Sequence, residues 1–325
     1  MHVETTELTY SHLDLGHLNE FGLLCLFGSL HSKALVHGLD GTVDDIRDQH
    51  GRKLYPAYFH THLRVPAAWP LSRFGPWRQV RAGVEVRRFG KCYLDSSYVI
   101  KPESEAAPAA DDFGAGVFPT MHANNLFIVD VSEDASVARQ LAVPRPGSVA
   151  PLEAVAEKPA AIQAAKDVAR DRRTGRWPEL PVVATESIVH VVAPGRDVAP
   201  GHAMIFARFS QVMDCAEHVL LTEQLELPAG PGERSEYVLR EREIFYLNNA
   251  YAGDTIDIAV KAGVSDTGEG AAGRQMLETE FQLFRRSNLD LLAVGRAKKE
   301  AAGDEARHVL DRLQAIAEAG RAAAV

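Results

Sequence analysis

The run GHLNEFGLLCLFGSLHSKALVHG, residues 16–38, constrains the fold more than any other part of the chain. Leu18, Phe21, Leu24, Cys25 and Leu35 follow helical spacing, while Leu23, Leu26 and Phe27 carry apolar character around the remaining sides. A helix apolar on almost every side has to be buried, so other elements must wrap it. The next segments supply the wrapping. YPAYFHTHLRV, WRQVRAGVEVRRFG, CYLDSSYVIK and NNLFIVDVS read as strands, divided by turn material such as FGP and FGK. Gly22 and Gly28 weaken the helix locally, which predicts close approach of the covering sheet at those points.

The same layout then occurs a second time. Residues 146–180, rich in Ala, Pro and charge, read as a connector with one helix near 157–171. Beyond it come a strand (TESIVHVVAP), a second buried helix (GHAMIFARFSQVMDCAEHVLL) and four strands: YVLREREIFYL, DTIDIAVKAG, LETEFQLFRR and LDLLAVGRAKK. Both helical runs open on Gly-His, at Gly16-His17 and Gly201-His202. The expected units are 1–150, a connector at 151–177, and 178–325, with buried helices at 18–36 and 202–222. An Ala-rich amphipathic helix closes the chain and is expected at the periphery. Strands this close in sequence need only hairpin connections, so the fold class is α+β with mainly antiparallel sheet.

Composition narrows the function. Of 325 residues 46% are hydrophobic, which is ample for a large core. A net charge of -9 and a pI near 5.8 argue against a nucleic-acid partner. No apolar run is long enough to cross a bilayer, and MHVETTELTY has no basic patch followed by an apolar stretch, so the expected location is the cytoplasm. Cys25, Cys92 and Cys215 lie far apart and read as reduced thiols, with no pair at metal-ligand spacing.

A long apolar helix followed by antiparallel strands resembles the hot-dog fold, here as a tandem (double) hot-dog. Three segments in order, GHLNEFGLLCLFGSLHSKAL, DDIRDQHGRKLYPAYF and REREIFYLNNAYAGDTI, resemble the double hot-dog family typified by the leinamycin-pathway acyltransferase/decarboxylase. The resemblance implies a bifunctional acyltransferase/decarboxylase in polyketide-type biosynthesis. Such an enzyme takes a methylmalonyl thioester of coenzyme A, releases carbon dioxide, and passes the propionyl group through a tyrosyl ester to a phosphopantetheinyl acyl carrier protein. Coenzyme A enters as part of the substrate, and no separate cofactor is implied. Within GRKLY the resemblance makes Tyr55 the nucleophile, with Tyr58 as the substitute three residues on. A homodimer is also expected, since hot-dog units leave sheet edges that pairing covers. Light scattering giving a monomer mass near 35.5 kDa would reject it.

Strict alternation would put Tyr55, Ala57, Phe59, Thr61, Leu63 and Val65 on one face, towards the buried helix, and Tyr58, His60, His62 and Arg64 on the other. Packing alone would then explain Tyr55. Donors for a thioester oxygen have two candidate sources: the helix amides near His17–Asn19, and the PTMHANN cluster with Thr120, His122, Asn124 and Asn125 as substrate-binding residues. Asn124 and Asn125 also suit a strand start, as do Asn248 and Asn249. His60 and His62 share a strand face, which suits a metal only with a third ligand, so a polar face is the plainer expectation. His31 reads as a core histidine. Glu20 suits a helix N-terminus, but becomes the candidate base if the chain is a thioesterase or dehydratase. A non-catalytic acyl-thioester-binding protein is the third reading.

Overall fold

The computed structural model describes residues 1–14, 17–39, 46–130, 140–145, 149, 151–173, 184–198, 203–225, 237–266 and 275–323. Gly16, Gly201, His202 and connector residues 174–183 lie outside the described residues. Strands β1 (His2–Glu7), β2 (Leu13–Asp14) and β3 (His17–Leu18) lead to helix α1 (Glu20–Gly38). Then come β4 (Leu54–Arg64), β5 (Gln79–Phe89), β6 (Tyr93–Pro102), the short α2 (Asp112–Ala115) and β7 (Thr120–Val129). Helix α3 (Ala160–Arg173) lies in the connector. The second half holds β8 (Ala184–Val191), α4 (Phe206–Leu225), β9 (Tyr237–Tyr246), β10 (Thr255–Asp266), β11 (Gln275–Arg285), β12 (Leu291–Ala301) and α5 (Asp304–Ala323).

Ten strands form one sheet in the order β1-β5-β6-β7-β4-β9-β12-β11-β10-β8. Every ladder between its strands is antiparallel, as hairpin connections require. The order is the same read outward from the middle: each half is a four-stranded hairpin array plus one edge strand. The halves join where β4 pairs β9, from His60↔Phe245 to Arg64↔Glu241. One core gathers Leu23, Leu24, Phe27 and Leu30 of α1 under β4–β7, and another gathers Phe209, Met213, Ala216 and Leu220 of α4 under β9–β12. Tyr58, Phe206 and Leu239 pack against both. Among the described residues, no helix is long and apolar enough to cross a membrane.

The start of α1 is set by Asn19, whose Oδ1 accepts the Gly22 amide at 2.6 Å. The two helix glycines do mark close approaches, but not to the sheet. A Cβ on Gly22 would lie 2.1 Å from the His12 carbonyl oxygen in the short turn before the helix. A Cβ on Gly28 would lie 3.0 Å from the Phe206 ring, so this glycine lets α4 approach α1. Helix α5 is less peripheral than its composition suggests. Ala306, Val309, Leu310 and Leu313 form a buried stripe that joins the second core.

A departure from simple alternation lies in β4. Tyr58 pairs with Asn125 and His60 with Asn124, so Phe59 has no partner on β7 and the strand bulges. Before the bulge Leu54 and Tyr58 point inward; after it, Thr61 and Leu63 do. An extra residue shifts the phase of a period-two pattern, so the predicted faces are correct only beyond Phe59.

Candidate functional site

Below His60 strand β4 parts from β9, and a cleft opens between the halves. Tyr55, Ala57 and Tyr58 form one wall, Met204, Phe206 and Phe209 at the start of α4 another, and Tyr246, Asn248 and Asn249 a third. Ile128, Val129 and Asp130 close the side beyond Tyr55, and the cavity between these walls is about 60 Å³. Tyr55 and Tyr58, expected on opposite faces, therefore share one site.

Their environments differ. Tyr55 is 43% exposed, and among the described residues its hydroxyl has no hydrogen-bond partner. Burial within the cleft wall and the neighbouring Asp130 charge both push its pKa up. Tyr58 is held more tightly. Its ring stacks on Phe206 with centroids 4.1 Å apart, and its hydroxyl lies 3.3 Å from that of Tyr98. Burial raises the Tyr58 pKa far more strongly, with the Tyr98, Tyr55 and Tyr246 hydroxyls adding to it. Tyr246 hydrogen-bonds Thr61 at 3.2 Å and donates to the Phe206 carbonyl at 3.4 Å.

The four PTMHANN residues divide across the sheet. Thr120, His122 and Asn124 project from the face opposite α1, with His60 and His62. There His60, His62 and His122 meet Glu243, Glu241 and Asp95 at 2.9, 2.5 and 2.8 Å. Asn124 also donates to Asp95, at 2.9 Å. Burial would raise the Asp95 carboxyl, but His122, Arg87 and Asn124 outweigh it and hold the pKa below the usual range. Among the described residues no group of three or more His, Cys, Asp or Glu is arranged to hold a metal ion. Asn125 alone points inward. It is fully buried, opposite Tyr58, and neither amide atom has a partner.

The amides near His17–Asn19 are already engaged: Leu18 N donates to Phe74 O at 2.8 Å and Asn19 N to His12 O at 3.4 Å. The helix start that borders the cleft belongs to α4 instead.

Glu20 lies outside the cleft lining, in a buried ionic cluster. Its Oε2 is 2.9 Å from Arg242 Nε, and its Oε1 is buried without a partner. Arg242 donates to Asp214 at 2.6 Å, Lys299 to Asp214 at 2.8 Å and also to Glu217, and Thr279 to Glu217 at 2.8 Å. Three carboxylates thus face two cations, one negative charge in excess. Burial pushes the Glu20 pKa up to about 7, opposed by Arg242 and assisted by Asp214, so this carboxyl gains and loses the balancing proton near neutral pH. Burial would raise Asp214 as well, but Arg242 and Lys299 hold it down at about 2. The halves therefore use comparable positions differently. A seam-strand residue meets the first residue of the other half's helix in both, Tyr58 on Phe206 at the open cleft and Arg242 on Glu20 in the ionic cluster.

A pH prediction follows from the sign of the Glu20 shift. Its folded pKa of about 7 lies above the ordinary glutamate value of 4.5, so the folded chain binds more protons between those pH values. Stability should therefore fall as pH rises from 4.5 through 7. Denaturant titrations at pH 5 and pH 8 should show a smaller drop for Glu20→Gln than for the wild type. Equal drops would contradict the proton assignment.

No family model and no curated protein sequence matches the chain. Its structure is similar to that of a protein described as an oleoyl thioesterase, from Lactobacillus plantarum: 13% identity, 93% of this chain and 96% of that one covered, TM-score 0.62. It is also similar to a 12:0-ACP thioesterase from Umbellularia californica, at 11% identity, 92% and 93% coverage and TM-score 0.56. An acyl-ACP thioesterase from Bacteroides thetaiotaomicron gives 11% identity, 92% and 97% coverage and TM-score 0.53. Over nearly its whole length, this chain shares its fold with those thioesterases.

Proposed function

We propose that the chain is a tandem hot-dog enzyme acting on acyl thioesters, which decarboxylates a methylmalonyl-type coenzyme A thioester and transfers the propionyl group to an acyl carrier protein through an ester on Tyr55. The observation that carries this reading is the Tyr55 hydroxyl: unpartnered among the described residues, half-exposed, and on the wall of a largely apolar cleft between the two halves, the kind of place where ligand sites form.

Such a phenol needs a strong base. At pH 7 about one free phenol in a thousand is ionised, and Tyr55, with its raised pKa, is ionised less. Asp130 lines the same cleft, but a carboxylate is far too weak a base to hold a phenol proton, and its charge opposes phenolate formation. Decarboxylation supplies what the residues lack. Breaking the bond between the α-carbon and the carboxylate releases carbon dioxide and leaves its electron pair as an enolate. The enolate α-carbon takes the Tyr55 proton, giving the propionyl thioester and a phenolate. The phenolate attacks the thioester carbonyl and expels the thiolate of coenzyme A, which picks up a proton from water. The carrier's pantetheine thiol then attacks the tyrosyl ester, and its proton returns to Tyr55.

The fold likeness to thioesterases favours a second reading, hydrolysis with Glu20 as base, for which its pKa of about 7 is suitable. Its place outside the cleft lining and against Arg242 counts against that role. Incubation with methylmalonyl-CoA and a phosphopantetheinylated carrier separates the two. Propionyl carrier with carbon dioxide is the expected outcome; free acid with no acylated carrier would establish hydrolysis instead.

A further inference from the structure

Behind Tyr58 runs a short chain of buried hydrogen bonds. The Tyr58 hydroxyl lies 3.3 Å from the Tyr98 hydroxyl, and the Tyr98 hydroxyl 2.7 Å from Nδ1 of His31, near the middle of α1. Tyr98 is fully buried and His31 nearly so. The other ring nitrogen of His31, Nε2, is buried and has no partner.

The direction of these bonds follows from what each alternative leaves stranded. Burial lowers the His31 pKa to about 4, so at neutral pH the ring carries one proton, on either Nδ1 or Nε2. A proton on Nε2 would strand a buried N–H with no acceptor, which folded chains rarely tolerate. A proton on Nδ1 donates to Tyr98 and strands only a lone pair. The Tyr98 oxygen then accepts from His31, and its own proton goes to the Tyr58 oxygen rather than to the nearby Ser96 hydroxyl, which makes no hydrogen bond among the described residues. Tyr58 is left with an O–H that has no acceptor among the described residues, on a side chain that lines the cleft. Asn125, opposite Tyr58 on β7, makes no hydrogen bond that would capture this proton.

We propose that Tyr58 donates a hydrogen bond to the thioester oxygen of a substrate in the cleft, and that Tyr98 and His31 are positioning residues that turn its O–H towards that oxygen. The assignment deepens the acyl-thioester reading and rests on it. It also gives the two tyrosines of the cleft separate tasks: Tyr55 is free to carry an acyl group, while Tyr58 is held in place to stabilise charge on the oxygen as the enolate and the tetrahedral intermediate form.

The test compares two ligands that differ in that one oxygen: propionyl-CoA, and its thioether counterpart propyl-CoA. Tyr58→Phe keeps the ring that stacks on Phe206, so a folded variant is expected. It should weaken propionyl-CoA binding about tenfold, the effect of one hydrogen bond, and leave propyl-CoA binding unchanged. Turnover of methylmalonyl-CoA should fall about 10²–10³-fold in kcat with little change in KM. Tyr98→Phe, which unties the Tyr58 hydroxyl without touching the cleft, should shift the same readouts in the same direction by less. Equal weakening of both ligands, or no change in either, would overturn the assignment while leaving the acyl-thioester reading in place. A wild-type chain that binds neither ligand would remove that reading, and the assignment with it.

Discussion

Tyr55→Phe is expected to abolish acyl transfer to the carrier protein while leaving the fold and melting temperature nearly unchanged. The phenyl ring keeps the cleft wall, and the lost hydroxyl has no hydrogen-bond partner among the described residues. Release of carbon dioxide should persist at a measurable rate, because breaking the carbon–carbon bond depends on how the carboxylate is held rather than on the nucleophile. Two assays on one variant, radiolabelled carbon dioxide release and acylation of the carrier, read this split. Transfer at a near wild-type rate would show that another group carries the acyl chain.

The second large effect concerns stability. Arg242 is 2% exposed and faces Glu20 and Asp214; burial works against its charge, but the surrounding carboxylates push its pKa up further. Arg242→Leu leaves the buried Glu20 without its cation. Removing one partner of a buried pair costs about 3–5 kcal/mol. The lower end, about 3 kcal/mol, is expected here, because Asp214 is partly exposed and keeps Lys299, and Glu20 can take up a proton. Urea unfolding should show this loss, and the double variant Arg242→Leu/Glu20→Leu should recover part of it, since two apolar side chains leave no orphaned charge. A double variant no more stable than Arg242→Leu would mean that the ionic cluster contributes through packing alone.

Much of the fold could be read from period and composition. The all-round apolar pattern of residues 16–38 demanded a buried helix, and α1 is buried; the repeat of that pattern predicted the second half. The strands were legible for the same reason, with ends that differ by a few residues. What the pattern did not carry was the bulge at Phe59, since one extra residue leaves no mark on composition yet reverses which tyrosine points inward. The cleft was also hidden. Its walls come from residues near 55, 205 and 248, and only the β4–β9 pairing brings them together. The buried ionic cluster does leave a trace in the sequence. In REREIFY, Arg242 alternates in phase with Ile244 and Tyr246, both inward, so a charged side chain was already facing the core and required a buried partner. Glu20, whose place suits a helix dipole or, in a thioesterase, a base, is that partner.

Brief exposure of the wild-type chain to methylmalonyl-CoA without a carrier, followed by intact mass and peptide mapping, tests the central claim most directly. The account predicts a single propionyl group, carried by the peptide containing Tyr55 and absent in Tyr55→Phe. Propionic acid released with no adduct on the protein, or an adduct that maps to a different residue, would contradict it.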